Sequence, residues 1–178
     1  MLPPGTPYFD GDIKFSSLKK TFYDLDDALL WEALNEQHFP DWRQAQIASR
    51  HDTAFETNFR DVGVMTSIAE FTSAGYESRL VFMGLDSVEA SIERVKLRVA
   101  KGGHDVPIEY ININFKESLR NLDRFYDRFN SVHIYQNFQS AGFEYHITPL
   151  ITLKAGKVTE RAKDLPDWAI HFLRNTGN

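Results

Sequence analysis

The chain has 178 residues, enough for one domain with a buried core, and 42% of them are hydrophobic, with 14 Phe, 7 Tyr and 3 Trp. This composition excludes a disordered chain. The net charge of −5 argues against non-specific binding to nucleic acid or to an anionic membrane as the main activity. The absence of cysteine excludes a disulfide scaffold, a thiolate zinc site and a thiol nucleophile.

The sequence carries no signal for a membrane or for secretion. No apolar run approaches the ~18 residues that a membrane-spanning helix needs. The first residues, MLPPGTPYFDGD, lack the basic and then apolar pattern of a signal peptide. We therefore expect a cytoplasmic protein, with neither nucleic acid nor a membrane among its partners.

The elements follow one another without a linker or an internal repeat, which predicts a single domain over 1–178. Up to residue 74, the patterns predict a short aromatic run ending in acids at 7–12, helices over about 15–35 and 40–50, a short strand at 53–59 and a helix over 62–74. Beyond it, they predict a strand at 77–87, helices over 87–101 and 107–129, a strand at 131–138, a hairpin over 147–161 and a closing helix over 165–175. Ala155-Gly156-Lys157 is the predicted hairpin turn.

Strands that alternate with helices predict an α/β fold with a largely parallel, doubly wound sheet. The continuous apolar run 80–83 is typical of a strand buried on both faces. Such folds bind ligands beyond the carboxyl ends of their strands. The polar residues that we expect at these strand ends are Asp10, Asp12, Glu56, Asn58, Asp86 and Asn137.

Two acids stand out at neighbouring strand ends. Asp12 and Glu56 could orient a hydroxyl group, accept its proton or hold Mg²⁺. Helix capping by Asp10 or Asp12 is an equally good explanation for those two residues taken alone. The six histidines show no metal-ligand spacing, so no zinc site is predicted.

A basic stripe ends the helix predicted over 87–101. Arg94 and Arg98 lie four residues apart, opposite the apolar side of the helix. One interpretation is a solvated basic helix end, where cations favour the helix dipole. The following Gly102, Gly103 and His104 favour another, a mobile lid that brings arginines to phosphate.

A nucleotide-binding loop is missing from the sequence. The pattern Gly-x-x-x-x-Gly-Lys-Ser/Thr is absent. Its nearest approach, at 156–159, lacks the upstream glycine and falls in the predicted hairpin. This absence is the main observation against use of ATP by the chain.

Five segments in this order nevertheless resemble the zeta-toxin-like P-loop kinases: FDGD, TAFETNF, AGYESRLVFMGLDS, IERVKLRVAKGGHDVP and ESLRNL. The likeness covers about residues 6–138 and is nearest to the chromosomal branch labelled predicted ABC-type ATPases. It implies a P-loop kinase-like parallel sheet flanked by helices, which the C-terminal hairpin and short helix would follow. It also implies a kinase that uses ATP and Mg²⁺ to phosphorylate a hydroxyl of a small molecule, in zeta toxins UDP-N-acetylglucosamine, with an antitoxin as protein partner.

The resemblance also assigns roles to residues near the first two strands. Asp12 matches the catalytic aspartate that engages the substrate hydroxyl, and Glu56 matches the substrate-binding glutamate. Asn58 stands where the family usually has threonine, so the acceptor need not be the same. Arg60 matches a further substrate-contacting arginine.

In the predicted lid, Arg94 corresponds to the first arginine near the ATP phosphates and Arg98 to the second. Gly102 and Gly103 are the expected hinge, and His104 follows them.

The chain departs from the family where members carry a first strand, the phosphate-binding loop and a first helix, all upstream of FDGD. Two hypotheses follow: an N-terminal truncation of a competent kinase, which the retained acids and arginines favour, or a non-catalytic relative that serves as a binding or assembly module. A Gly-Lys-Ser/Thr loop encoded upstream of Met1 would support truncation.

Overall fold

A computed structural model describes residues 2–100, 105–139 and 145–177. The chain divides into two compact units, residues 1–57 and 58–178. Gly102, Gly103 and His104, the predicted hinge, lie outside the described residues. Among the residues that are described, no helix combines the length and the hydropathy needed to cross a membrane.

The first unit pairs two short parallel strands and surrounds them with helices. Its elements are β1 (Tyr8–Phe9), α1 (Gly11–Thr21), α2 (Asp27–Ala33), a π-helical turn (Leu34–His38), α3 (Phe39–Ser49) and β2 (Ala54–Phe55). In the β1–β2 ladder, Tyr8 is aligned with Ala54 and Phe9 with Phe55. Both strands therefore leave the ladder at the same end.

The helix expected over 15–35 is two helices, so that prediction was wrong in its extent. α1 begins at Gly11 because the Asp10 carboxylate accepts a hydrogen bond of 3.0 Å from the Ile13 amide. Asp26 caps α2 in the same way, with 2.7 Å to the Ala28 amide. Pro40 lies in the first turn of α3, as expected for a residue that lacks an amide hydrogen.

Aromatic packing holds the strands of the first unit. The Phe9 ring lies 5.1 Å from that of Phe39 and 5.3 Å from that of Trp42. Phe55, on the other strand, meets Phe39 edge-on at 5.2 Å. Each such pair contributes about 0.5–1.5 kcal/mol beyond the burial of its area, which supports a ladder that is only two residues long.

The second unit is a four-stranded mixed sheet with helices. Its elements are α4 (Val64–Ser73), β3 (Arg79–Gly84), α5 (Val88–Ala100), α6 (Ile108–Phe125), a 3₁₀ turn (Tyr126–Arg128), β4 (Ser131–Gln139), β5 (Tyr145–Lys154), β6 (Lys157–Arg161) and α7 (Asp167–Thr176). The strand order is β3-β4-β5-β6, in which β3 and β4 are parallel and the later pairs antiparallel. The predicted α/β class, with parallel strands flanked by helices, is confirmed.

The core of the second unit combines the sheet with α6 and α7. Its largest fully buried side chains are Leu122, Val132, Ile134, Leu153 and Phe172. α4 adds partly buried apolar side chains to the same cluster. The hairpin turn is also as predicted, because Ala155 and Gly156 both have positive φ and connect the paired Lys154 and Lys157.

Two predictions about strands were wrong. The run 80–83 is not buried on both faces: Val81 is 55% and Met83 37% exposed, whereas Phe82 between them is buried. β3 has a single strand neighbour, β4, among the described residues, so it is an edge strand with alternating burial. Asn137 does not follow β4 but lies within it and is buried.

Gly84 allows β3 to pack directly against the indole of Trp168 on α7. A Cβ atom at this position would lie 2.2 Å from Cζ2 and 2.3 Å from Cη2 of Trp168, which α7 carries. The same indole packs 6.1 Å from the ring of Phe82. The end of β3 can therefore take only glycine without moving α7.

We expect Gly84→Ala to lower the free energy of unfolding by about 1–3 kcal/mol, because overpacking forces side chains and backbone to shift. Denaturant unfolding would measure the loss. Gly11→Ala is the matched control, since its Cβ would meet nothing nearer than a Trp31 ring atom at 3.9 Å. Equal stability of the two variants would contradict the packing argument.

Candidate functional site

The carboxyl end of the β1–β2 ladder carries the acids of the first unit. The Glu56 amide donates to the Phe9 carbonyl at 2.9 Å, which continues the ladder beyond β2. The Glu56 side chain is exposed and accepts a hydrogen bond of 2.7 Å from the Tyr8 hydroxyl. A strand end thus presents a carboxylate whose orientation is fixed by a phenol.

Asp10 and Asp12 have separate roles in the structure. Asp10 is the N-cap of α1, so the capping alternative is confirmed for this residue. Asp12 lies in the first turn of α1 with an exposed side chain, and its carbonyl oxygen accepts a hydrogen bond of 2.9 Å from the Ser16 hydroxyl. Asp12 is therefore an exposed acid in the first turn of α1, where a negative charge also favours the helix dipole.

The hydrogen bond to Glu56 changes the chemistry of Tyr8. Partial burial raises the pKa of the Tyr8 phenol above its ordinary value near 10. The hydrogen bond to Glu56 and the negative charge of that carboxylate raise it further. The phenol remains a neutral donor through the physiological range and holds the carboxylate in place. The sequence prediction missed Tyr8, since 48 residues separate it from Glu56.

In the second unit, a turn presents Arg60 to α6. The Asn58 side chain accepts a hydrogen bond of 3.2 Å from the Arg60 amide. The Arg60 guanidinium donates to the Asn114 side chain at 3.2 Å and lies over the Tyr110 ring, 5.7 Å from its centroid. The structure thus unites Asn58 and Arg60 with two residues of α6 that the sequence prediction missed. The four-residue spacing of Tyr110 and Asn114, which places them on one face of a helix, was the signal in the sequence that could have found them.

α5 is the described part of the predicted lid. Ser87 caps it, since the Ser87 hydroxyl accepts from the Ala90 amide at 3.2 Å. Arg94 and Arg98 are one turn apart on this helix, Arg94 exposed and Arg98 half-buried. No side chain of α5 is fully buried, so the helix is held less firmly than α6.

A further polar contact lies at the end of the parallel β3–β4 ladder. The Gln136 side-chain amide donates to the Asp86 carboxylate at 2.6 Å. Asp86 follows β3 as predicted. In the described parts of the chain, no group of three or more histidine or acidic side chains is placed to hold a metal ion.

Comparisons with known proteins identify the fold but no family. No family model matches the sequence, and the search of curated proteins gives no significant match. Among solved structures, the fold is similar to a chain of the PezAT chromosomal toxin–antitoxin system of the human pathogen Streptococcus pneumoniae. That similarity has a TM-score of 0.53 and 14% sequence identity, and it covers 96% of this chain and 72% of the other.

The Tyr8–Glu56 contact gives a pH prediction. In Glu56→Gln the pKa of Tyr8 should fall, but not to its ordinary value, because the burial of the phenol remains. A raised folded-state pKa stabilises the fold below the unfolded-state pKa near 10, and this contribution is lost as the pH rises through the folded value. Both proteins should therefore begin to lose this contribution near the unfolded-state pKa, and Glu56→Gln should lose less of it in total, because its folded-state pKa lies nearer the unfolded value.

Phenolate absorbance, with Tyr8→Phe as the subtraction control, would measure the pKa of Tyr8. An unchanged Tyr8 titration in Glu56→Gln would contradict the contact.

Proposed function

We propose that this chain acts as an ATP-dependent phosphotransferase of the zeta-toxin type, which moves the γ-phosphate of ATP to a hydroxyl of a small molecule. A nucleotide sugar such as UDP-N-acetylglucosamine is the proposed acceptor. The observation that carries the proposal is the Glu56 carboxylate, fixed by Tyr8 at the carboxyl end of parallel strands. Asp12 lies on the helix that follows the first of these strands.

Each proposed role follows from side-chain chemistry. Asp12 orients the acceptor hydroxyl or takes its proton as the oxygen attacks. Glu56 and Asn58 hold the acceptor through hydrogen bonds, and Arg60 binds an anionic group on it. Arg94 and Arg98 neutralise phosphate charge, which requires cations that stay protonated. The hinge role of Gly102, Gly103 and His104 remains a prediction.

The residues present do not by themselves fit ATP and Mg²⁺. The sequence holds no Gly-Lys-Ser/Thr loop, whose amide groups and lysine cradle the β- and γ-phosphates in this class of enzyme. The described residues also lack an acidic cluster for a metal ion. The proposed role of this chain is therefore limited to binding and activating the acceptor and to neutralising phosphate charge with the arginines of α5.

The fold similarity supports the zeta-toxin side of the proposal, since the similar chain comes from a toxin–antitoxin system. An antitoxin protein is accordingly the proposed partner of this chain. Assignment to the branch labelled predicted ABC-type ATPases stays a prediction.

The missing loop favours a second candidate, a binding or assembly module. Such a module would retain the acceptor-binding residues or a surface for a partner protein, without catalysis. Calorimetry with ATP and Mg²⁺ distinguishes the two candidates. Micromolar binding by the 178-residue chain supports the phosphotransferase and means that other residues replace the loop. No binding of ATP, with binding of a partner protein retained, supports the module.

Asp12→Asn should reduce phosphoryl transfer from ATP to UDP-N-acetylglucosamine by about 10²–10⁴-fold, the usual contribution of an acid or base. The fold should be unchanged, because the side chain is exposed. Radiolabel transfer would measure the loss in a protein that joins this chain to a phosphate-binding loop, and circular dichroism would check the fold.

Asp10→Asn is the matched control for this variant. It removes the same charge two residues away, and asparagine caps a helix as well as aspartate does. Equal loss in both variants would refute a specific role for Asp12. No transfer by the joined protein without either substitution would favour the module.

A further inference from the structure

The turn before α4 has an unusual backbone at Phe59. Its φ is +53°, a left-handed conformation that bulky residues rarely adopt. The side chain is 3% exposed and meets the Phe129 ring edge-on at 6.3 Å. Such a conformation persists only where the surroundings determine it from several sides.

Asn121 of α6 supplies one of those determinants. It is 3% exposed, and its side-chain nitrogen donates two hydrogen bonds of 3.0 Å, to the carbonyl oxygens of Phe59 and Arg60. A side-chain amide has two N–H donors, so this pair of carbonyls uses both. Aspartate, which has the same shape, could donate to neither when ionised.

The same helix receives the side chain that the turn presents. Tyr110, Asn114 and Asn121 are spaced by four and seven residues on α6, which places them on one face of the helix. Asn121 fixes the backbone on both sides of Arg60, while Asn114 and Tyr110 fix its guanidinium. The backbone and the guanidinium of Arg60 are thus both held by the same helix, α6.

We propose that Asn121 is a positioning residue, which locks the left-handed turn at Phe59 and so holds Arg60 ready for a phosphoryl group. Of the five donors of a guanidinium, the contact with Asn114 takes one and leaves the others to face a ligand. This inference rests on the proposed function in one respect, namely that Arg60 binds the anionic part of the acceptor.

The first test needs no ligand. The Arg60 Nε–H signal in an NMR spectrum of the full chain is assigned with Arg60→Lys, and Tyr110→Leu gives its position without the ring-current shift. Asn121→Ala should move the signal toward the Tyr110→Leu position. Leu30→Val, a core variant in the separate hydrophobic cluster of the first unit, should leave it in place.

A signal that keeps its ring-current shift in Asn121→Ala overturns the proposal. If that variant does not fold, Asn121→Ser, which keeps one donor, takes its place and should show a partial movement. Failure of both variants to fold also overturns it, because the role of Asn121 would then be structural alone.

The second test measures binding of UDP-N-acetylglucosamine by calorimetry. Arg60→Lys and Asn121→Ala should each weaken binding by about tenfold, the factor that corresponds to about 1.4 kcal/mol. The double variant should bind no more weakly than Arg60→Lys alone, because Asn121 acts through Arg60. Losses that multiply in the double variant overturn the proposal.

The two tests separate the inference from the proposed function. No binding by the unaltered chain counts against this acceptor, while the ligand-free signal still decides the role of Asn121. Binding that depends on Arg60 but not on Asn121 overturns the positioning role and leaves the proposed role of Arg60 standing.

Discussion

Parallel strand pairing is the constraint on which the candidate site depends. Parallel pairing fixes which residues of two strands are neighbours, so side chains near the end of a ladder meet there whatever their separation in sequence. In the first unit this pairing brings Glu56 to the Tyr8 hydroxyl. In the second it brings Gln136, in the last pair of the β3–β4 ladder, to Asp86, which follows β3. Each unit therefore gathers polar groups at one edge through main-chain hydrogen bonds.

The two units stabilise these edges by different means. The β1–β2 ladder is two residues long, too short to be stable through its hydrogen bonds alone. The rings of Phe9, Phe39 and Phe55 supply the missing stability. β3 and β4 pair over six residues and rest on a larger core. The acids of the first unit are thus held by aromatic packing rather than by an extensive sheet.

Local features of the fold could be predicted from the sequence because they depend on few neighbours. The turn at Ala155-Gly156 follows from its residue types. Pro40 does not begin a helix as predicted, because the backbone is already helical at His38 and Phe39. The break between α1 and α2 was missed, because the capping preference of Asp26 competes with an apolar pattern that continues through it. The exposure of Val81 was missed as well, since an apolar run predicts a strand but does not specify what covers it.

The candidate site shows the same division between local and distant information. Asp12 and Glu56 could be singled out because strand-end position and charge are visible in the sequence, and Arg60 through the family resemblance. Their partners could not, because the contacts of Tyr8 with Glu56 and of Asn121 with Arg60 span 48 and 61 residues. The positive φ at Phe59 could not be predicted either, because phenylalanine does not favour a left-handed backbone.

The strained turn has a physical consequence for the choice of residue at 121. A left-handed bulky residue costs about 1–3 kcal/mol, comparable to the net contribution of the two hydrogen bonds from Asn121, at about 0.5–1.5 kcal/mol each. The cost of the left-handed backbone and the contribution of the Asn121 hydrogen bonds are therefore nearly equal, and burial of the Phe59 ring favours the observed conformation. The strain at Phe59 is thus offset jointly by the buried amide of Asn121 and by burial of the ring in the core, and the same turn sets the backbone position of the exposed Arg60.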